Sequence, residues 1–383
     1  MTIAELHSNE DLRRHEFPVA ETKVFLSHAA VCALPRRVSE AVSHYAFNAT
    51  QGDQEALLPA IQIHKSRELA ARLLNAKPEE IAFVGPTTLA LGYVANGLPW
   101  RKGDNVLIYH DDYPSNVYPW MALAERGVQV RLINVRELGK IRAIDVQGQI
   151  DENTRLVALA SCHFVSGWRI NIPAIGKMLR QRGVLFCVDG IQTLGAFPTT
   201  VEHVDFLAAD AHKWLLGPCA AGIFYVREEV QARLKPTIFG WNNVRCPNYV
   251  AQVEMKLCSG AHRYEAGSDN LLGLVGLTAA MEMILDVGVE NISAELLRQR
   301  AWLVPALQKK GCTVLQAAAP PDNASGIITF HRPGEDMTAL HQKLADAKII
   351  TSLRTDRTEQ NYIRLSPHFY NTDAELHRVV EMI

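Results

Sequence analysis

The chain has 383 residues, 48% of them hydrophobic and 21% charged, enough for a large core and more than one compact unit. A formal net charge of −2 provides no basic field for nucleic acid or an anionic membrane, so the expected partner is a small molecule. Seven cysteines, an odd count without a C-x-x-C pair or a zinc-ligand spacing, argue against a disulfide scaffold and predict a reduced, cytoplasmic setting.

The opening stretch, "MTIAELHSNEDLRRHEFPVAETK", is charged and has no apolar h-region, and nothing later is long enough in apolar residues to cross a bilayer. A soluble, unprocessed chain is expected. From about Ile81 to Val226, short apolar runs alternate with helical patterns, which predicts parallel βαβ units. The predicted strands are "IAFVG", "NVLIYH", "VQVRLINV", "RLVALASCHF", "GVLFCVDG", "VDFLAAD" and "GIFYVR". Several are apolar at consecutive positions, as strands covered on both faces require. Helices fit between them, such as "IPAIGKMLRQRG", with helical spacing and a closing glycine.

In such sheets ligands bind beyond the carboxyl ends of the strands, so the residues just after each apolar run carry the chemistry. "IAFVG" is followed by Thr87 and Thr88 where a helix should begin, and hydroxyls with free N–H groups there suit a phosphate. The bland reading is a plain N-cap. "NVLIYH" leads to "YHDDYPSN", in which Tyr113 is either a stacking platform for a flat ligand or a core aromatic. Asp189 ends "GVLFCVD", with Gln192 three residues on; a carboxylate there is either a cap or the holder of a positive charge. "VDFLAAD" runs into "AHKWLLGP", and Lys213, if partly desolvated, has the lowered pKa that an attacking amine needs. A lone loop lysine is otherwise simply solvated. The "YHDD" and "DAH" stretches match no recognised zinc or two-metal spacing, so no metal is expected.

After about residue 235 come two helices, "VGLTAAMEMILDVG" and "ISAELLRQRAWLVPALQKKG", then a smaller α/β unit in which an antiparallel sheet is predicted from "TVLQ", "GIITFH", "IITSLR" and "YIRLSPHF". We therefore expect an N-terminal arm over residues 1–20 packing on a small domain, a large mostly parallel α/β domain over 21–255, and the small C-terminal domain over 256–383.

None of the strand-end residues is specific alone, but together they match one cofactor. Pyridoxal phosphate needs a helix N-terminus for its phosphate, an acid for its pyridine nitrogen and a lysine for its aldehyde.

With these residues the sequence resembles the class V aminotransferase superfamily of fold type I pyridoxal phosphate enzymes, which includes cysteine desulfurases, selenocysteine lyases and isopenicillin N epimerase. The resemblance runs from "FLSHAA" to "IRLSPHFYNTDAEL" and is most specific at "VDGIQTLG" and "HKWLLGP". It implies Lys213 as the Schiff-base lysine, Asp189 on the pyridine nitrogen, Gln192 near the ring hydroxyl, and Thr87, Thr88 and His212 on the phosphate. It further implies Tyr113 over the ring, Arg364 on a substrate α-carboxylate, and a homodimer in which Ser268 of "RYEAGSDN" reaches the other subunit's phosphate.

Two departures stand out. Asp210 occupies a position where several cysteine desulfurases have a phosphate-binding serine, and a carboxylate there is unfavourable unless it points away. The stretch "TSLRTDRTEQNYIRLS", where cysteine desulfurases carry a nucleophilic cysteine, has none; the cysteines are 32, 162, 187, 219, 246, 258 and 312. The sequence reading therefore favours an aminotransferase or isopenicillin N epimerase-like enzyme acting on an amino acid. A desulfurase-like or selenocysteine lyase-like enzyme without the loop cysteine is the alternative, and a non-catalytic cofactor-binding protein a further one.

Overall fold

The computed structural model describes residues 1–383. Thirteen strands form in chain order. They are β1 (Val24–Phe25), β2 (Ile81–Val84), β3 (Asn105–Ile108), β4 (Gln129–Leu132), β5 (Thr154–Ala160), β6 (Leu185–Asp189), β7 (Phe206–Asp210), β8 (Gly222–Val226), β9 (Thr313–Val314), β10 (Ile328–His331), β11 (Ile349–Ile350), β12 (Ser352–Thr355) and β13 (Asn361–Leu365).

Seven of them make the main sheet, in the order β2-β8-β7-β6-β5-β3-β4. Its strands are apolar at consecutive positions because both faces are covered. In β5, Leu156 and Ala158 face one core while Val157 and Leu159 face the other. Helix Thr87–Gly97 packs on the Leu156 and Ala158 side, and helices Ala60–Leu74, Ile172–Gln181 and Leu271–Val287 pack on the Val157 and Leu159 side. The sheet is mostly parallel, as expected, and its one exception is β8, which lies antiparallel to both β2 and β7. The other six strands point the same way, so the ends of β2, β3, β6 and β7 share one edge of the sheet.

Helix Leu271–Val287 lies beyond residue 255 in sequence and packs on Arg36–Asn48 and Ala60–Leu74 of the large unit. The smaller unit holds the antiparallel sheet β12-β13-β10-β9, as its alternating runs predict. The first residues pack against it. Phe17 stacks on Tyr370 with centroids 4.0 Å apart, Arg13 pairs with Glu375 at 2.9 Å, and β1 runs parallel to β11. No single helix is long and apolar enough to cross a membrane.

Candidate active site

The shared edge of the main sheet opens on a cavity of about 300 Å³, and residues from nearly the whole length of the chain line it, from Ala29 to Arg364. Helix Thr87–Gly97 points its start into the cavity and has no side-chain cap, leaving first-turn N–H groups open for an anion. Thr87 Oγ1 accepts the Asp210 N–H at 2.9 Å, and Thr88 Oγ1 donates to Ser115 Oγ at 2.7 Å. Both threonines therefore fix the loop as well as line it.

Asp189 ends β6, buried, with its carboxylate accepting the Ile191 N–H at 3.1 Å. Burial raises its pKa, and the nearby Lys213 opposes that rise. Behind it, burial and then the Asp189 charge push the Asp112 carboxyl up to about 7. Gln192 lines the cavity with its side chain held in place: Nε2 donates to the Ala29 carbonyl at 3.1 Å and Oε1 accepts from Trp214 Nε1 at 2.9 Å.

Lys213 follows β7 in the turn toward β8 and is 6% exposed. Burial lowers its pKa to about 8, with Asp189 acting in the opposite sense and Arg364 and Arg354 in the same sense. Its Nζ lies 5.2 Å from the centre of the Tyr113 ring, which meets Phe164 edge-on at 5.3 Å. Tyr113 is thus a cavity wall, 45% exposed, rather than a core aromatic.

The difficulty posed by Asp210 resolves in its own turn. Its carboxylate accepts the N–H groups of Ala211, Ala220 and Ala221 at 2.8, 3.1 and 3.0 Å. Burial alone would raise its pKa, but the adjacent His212 and these donors outweigh burial and hold it below the usual carboxylate value. His212 Nδ1 lies 2.9 Å from the Asp210 carboxylate, and the imidazole lines the cavity beside it. The carboxylate braces the Lys213 turn, in which Leu216 and Ala220 take left-handed backbone angles.

Arg364 comes from β13 of the smaller unit and is fully buried. It donates to the Phe164 carbonyl at 2.6 Å and to Ser352 Oγ at 3.3 Å, and its Nε has no partner. Burial, then the charge of Arg354, lowers its pKa. The sequence reading passed over Arg354, Ser115 and Phe164, all of which line the cavity. Ser268 stands outside it, donating to Glu55 Oε1 at 2.8 Å on the surface. No cysteine lines the cavity, and no three His, Cys, Asp or Glu side chains converge as metal ligands.

The donor set fits pyridoxal phosphate. An uncapped helix start with two hydroxyls and an imidazole faces the place for a phosphate, a buried acid the place for a ring nitrogen, and a desolvated amine the place for an aldehyde.

Comparison with known proteins agrees over the whole chain. A probable cysteine desulfurase of Methanothermobacter thermautotrophicus is 28% identical over 397 residues, covering 98% of this chain and 97% of that protein. The apo structure of a cysteine desulfurase from Thermococcus onnurineus NA1 superposes with a TM-score of 0.88 at 24% identity, covering 97% and 96% of the two chains. The cystine C-S lyase C-DES, solved with its reaction product cysteine persulfide, gives 0.85 at 23% identity, covering 95% and 98%. Residues 24–379 match the family described as Aminotransferase class-V, and the chain is a member of that family.

Proposed function

We propose that the protein is a pyridoxal phosphate-dependent lyase that breaks the Cβ–S bond of a sulfur-containing amino acid and releases the sulfur to solution. A relative named as a probable cysteine desulfurase along the full chain favours this alternative over the aminotransferase or epimerase reading. The observation that carries it is the convergence of Lys213, Asp189 and Arg364 in a cavity lined by no cysteine. A thiol is thus missing from the cavity as well as from the loop, so the enzyme has no group there to take up sulfur. The nearest thiol in sequence to the lining residues, Cys32, donates to the Gly217 carbonyl, and burial pushes its pKa up to about 12.

Bound pyridoxal phosphate supplies an aldehyde for the substrate amine and an electron-withdrawing ring that makes the Cα proton acidic. Thr87, Thr88 and His212 would hold the phosphate, and Gln192 would stand near the ring hydroxyl. Asp189 keeps a proton at the pyridine nitrogen, since an anionic carboxylate is the best partner for that proton in a buried site. Tyr113, which walls the cavity beside Lys213, would shield a bound ring from water. Arg364, whose guanidinium can donate charge-assisted bonds to a carboxylate, would hold the α-carboxylate of an amino acid and so fix its position relative to Lys213. With its pKa near 8, Lys213 is partly in the free amine form at neutral pH and takes the proton from Cα.

The elimination breaks Cα–H and Cβ–S, and water converts the remaining three-carbon fragment to pyruvate and ammonia. The sulfur leaves as a thiol or persulfide, and no oxidant or reductant is consumed. In the same reading the enzyme is a homodimer, with Ser268 serving the neighbouring subunit's phosphate.

Holoenzyme incubated with L-cysteine, L-cystine and L-alanine plus a 2-oxo acid tests this. Pyruvate and reduced sulfur are expected in equal amounts from a sulfur substrate. Amino transfer to the oxo acid or inversion at Cα, without sulfur release, overturns the lyase in favour of an aminotransferase or an epimerase.

A further inference from the structure

The peptide groups on both sides of Lys213 are gripped from outside the sheet that carries it. On one side the His212 carbonyl accepts the Cys32 N–H at 2.7 Å. On the other the Trp214 carbonyl accepts from His368 Nε2 at 3.0 Å. The imidazole has one way to do this: its Nδ1 accepts the Phe369 N–H at 2.9 Å, so the ring proton stands on Nε2. Burial lowers the pKa of His368 to about 4, which leaves the ring a neutral donor of fixed tautomer wherever Lys213 titrates.

The two segments that supply these grips are fastened to each other. His28 Nδ1 donates to the Ser366 carbonyl at 2.8 Å, its Nε2 accepts from the Tyr370 hydroxyl at 2.8 Å, and the Ala29 N–H reaches Ser366 Oγ at 3.0 Å. The His28 and His368 rings meet edge-on with centroids 5.2 Å apart. Trp214 is also held through its indole N–H by Gln192, but that bond lies within the large unit. His368 follows β13, so its bond ties the lysine turn to the small unit. The turn depends on such support, because the left-handed angles of Leu216 and Ala220 persist only where surrounding contacts over-determine them. If the peptide after Lys213 were free to rotate, Nζ would swing on its four-carbon stem away from Asp189 and the Tyr113 ring and toward water.

We propose that His368 is a positioning residue for Lys213: its Nε2–H, acting through the Trp214 carbonyl, holds the lysine turn in the orientation that keeps Nζ inside the water-poor cavity. This rests on the assignment of Lys213 to the cofactor and adds that the small unit, by docking, sets the state of that amine. His368 itself takes no part in proton transfer.

Covalent capture of pyridoxal phosphate by the full-length apoprotein, followed by absorbance over the pH range in which lysines titrate, tests this apart from turnover. The midpoint reports Lys213, whose charged and titratable neighbours Asp189, Asp210, His212, Tyr113, Arg354 and Arg364 are left in place by every variant. His368→Ala and His368→Phe remove the donor, the second keeping an aromatic ring against Trp214 and Tyr370. In each the midpoint should rise by at least about one pH unit, which slows capture at neutral pH by at least about fivefold. His368→Gln places an amide N–H near the position of Nε2 and should return the midpoint to within about 0.3 unit of wild type. A merely structural role would lower the urea midpoint and leave the capture midpoint where it was, and that result overturns the proposal. An equal rise in all three variants also overturns it, since packing rather than the bond would then be responsible. So does failure of both donorless variants to fold, since the bond would then serve the fold. Absence of any borohydride-fixed adduct on Lys213 in the wild type is distinct: it removes the cofactor reading, and the proposal with it.

Discussion

Lys213 has lost most of the water that keeps a surface lysine protonated, and the cost falls on its charged form. Only the free amine attacks an aldehyde, so covalent capture of pyridoxal phosphate by apoprotein should speed up as pH rises and reach half its plateau near pH 8. Stopped-flow absorbance reads the rate, and borohydride reduction with peptide mapping should place the adduct on Lys213. A midpoint above pH 10 would mean that the lysine is solvated after all. Arg364→Lys should weaken substrate binding by roughly 1.5–3 kcal/mol, the scale of hydrogen bonds to charged groups, since one ammonium cannot replace the fork. Steady-state kcat/KM measures this loss, with the absorbance of bound cofactor unchanged. Lys213, Asp189 and Thr87 were legible because each directly follows an apolar run that could only be a buried strand. Arg354 was passed over because an arginine next to a polar turn reads as solvated; the usable signal was its two-residue spacing from Ser352, which puts it on the Arg364 face.

At the level of elements, β8 determines how the two halves of the cofactor site meet. Its first residue, Gly222, pairs with Val84 at the end of β2 and with Asp210 at the end of β7, so it separates the helix that faces the phosphate from the Lys213 turn. A Cβ at this position would lie 2.5 Å from the Gly85 carbonyl oxygen and 2.7 Å from that of Val84. Gly222→Ala should therefore cost about 1–3 kcal/mol, as overpacking does, and should spread the site. A lower urea midpoint together with faster loss of cofactor on dialysis is expected; a lower midpoint with unchanged cofactor retention would confine the damage to the sheet. The direction of β8 was not visible in "GIFYVR", because the period of a strand carries no sense of direction. What could have revealed it is the stretch from Ala211 to Ala221: a parallel return needs a crossover, usually a helix, and "AHKWLLGPCAA" contains proline, glycine and no helical period.

Across the whole molecule, the large sheet brings the cofactor residues and the smaller unit brings the arginines, joined through the Arg364 contact to the Phe164 carbonyl and the hold of Arg357 on Asp111 and the His110 carbonyl. Apolar side chains left in water, among them Phe47, Ile61, Phe239, Trp241, Tyr249 and Val253, are the surface from which the proposed dimer would be built. Sedimentation at assay concentration should give twice the chain mass, and Ser268→Ala should weaken cofactor retention although Ser268 lies outside its own cavity. A fully active monomer would sink the shared-site arrangement. Partner contacts of this kind leave no pattern in a single chain, whereas the second, antiparallel sheet was legible in the short runs from Thr313 onward; helix Leu271–Val287, although past the change of periodicity near residue 235, packs on the large unit. Because the cavity takes its first wall from Ala29 and its last from Arg364, its completion waits on contacts that are among the most distant in the chain. A ribosome must make nearly all of the protein before the pocket can close, so capture of the cofactor reports the final step of folding, and a yellow colour on refolding should return no sooner than the two units dock.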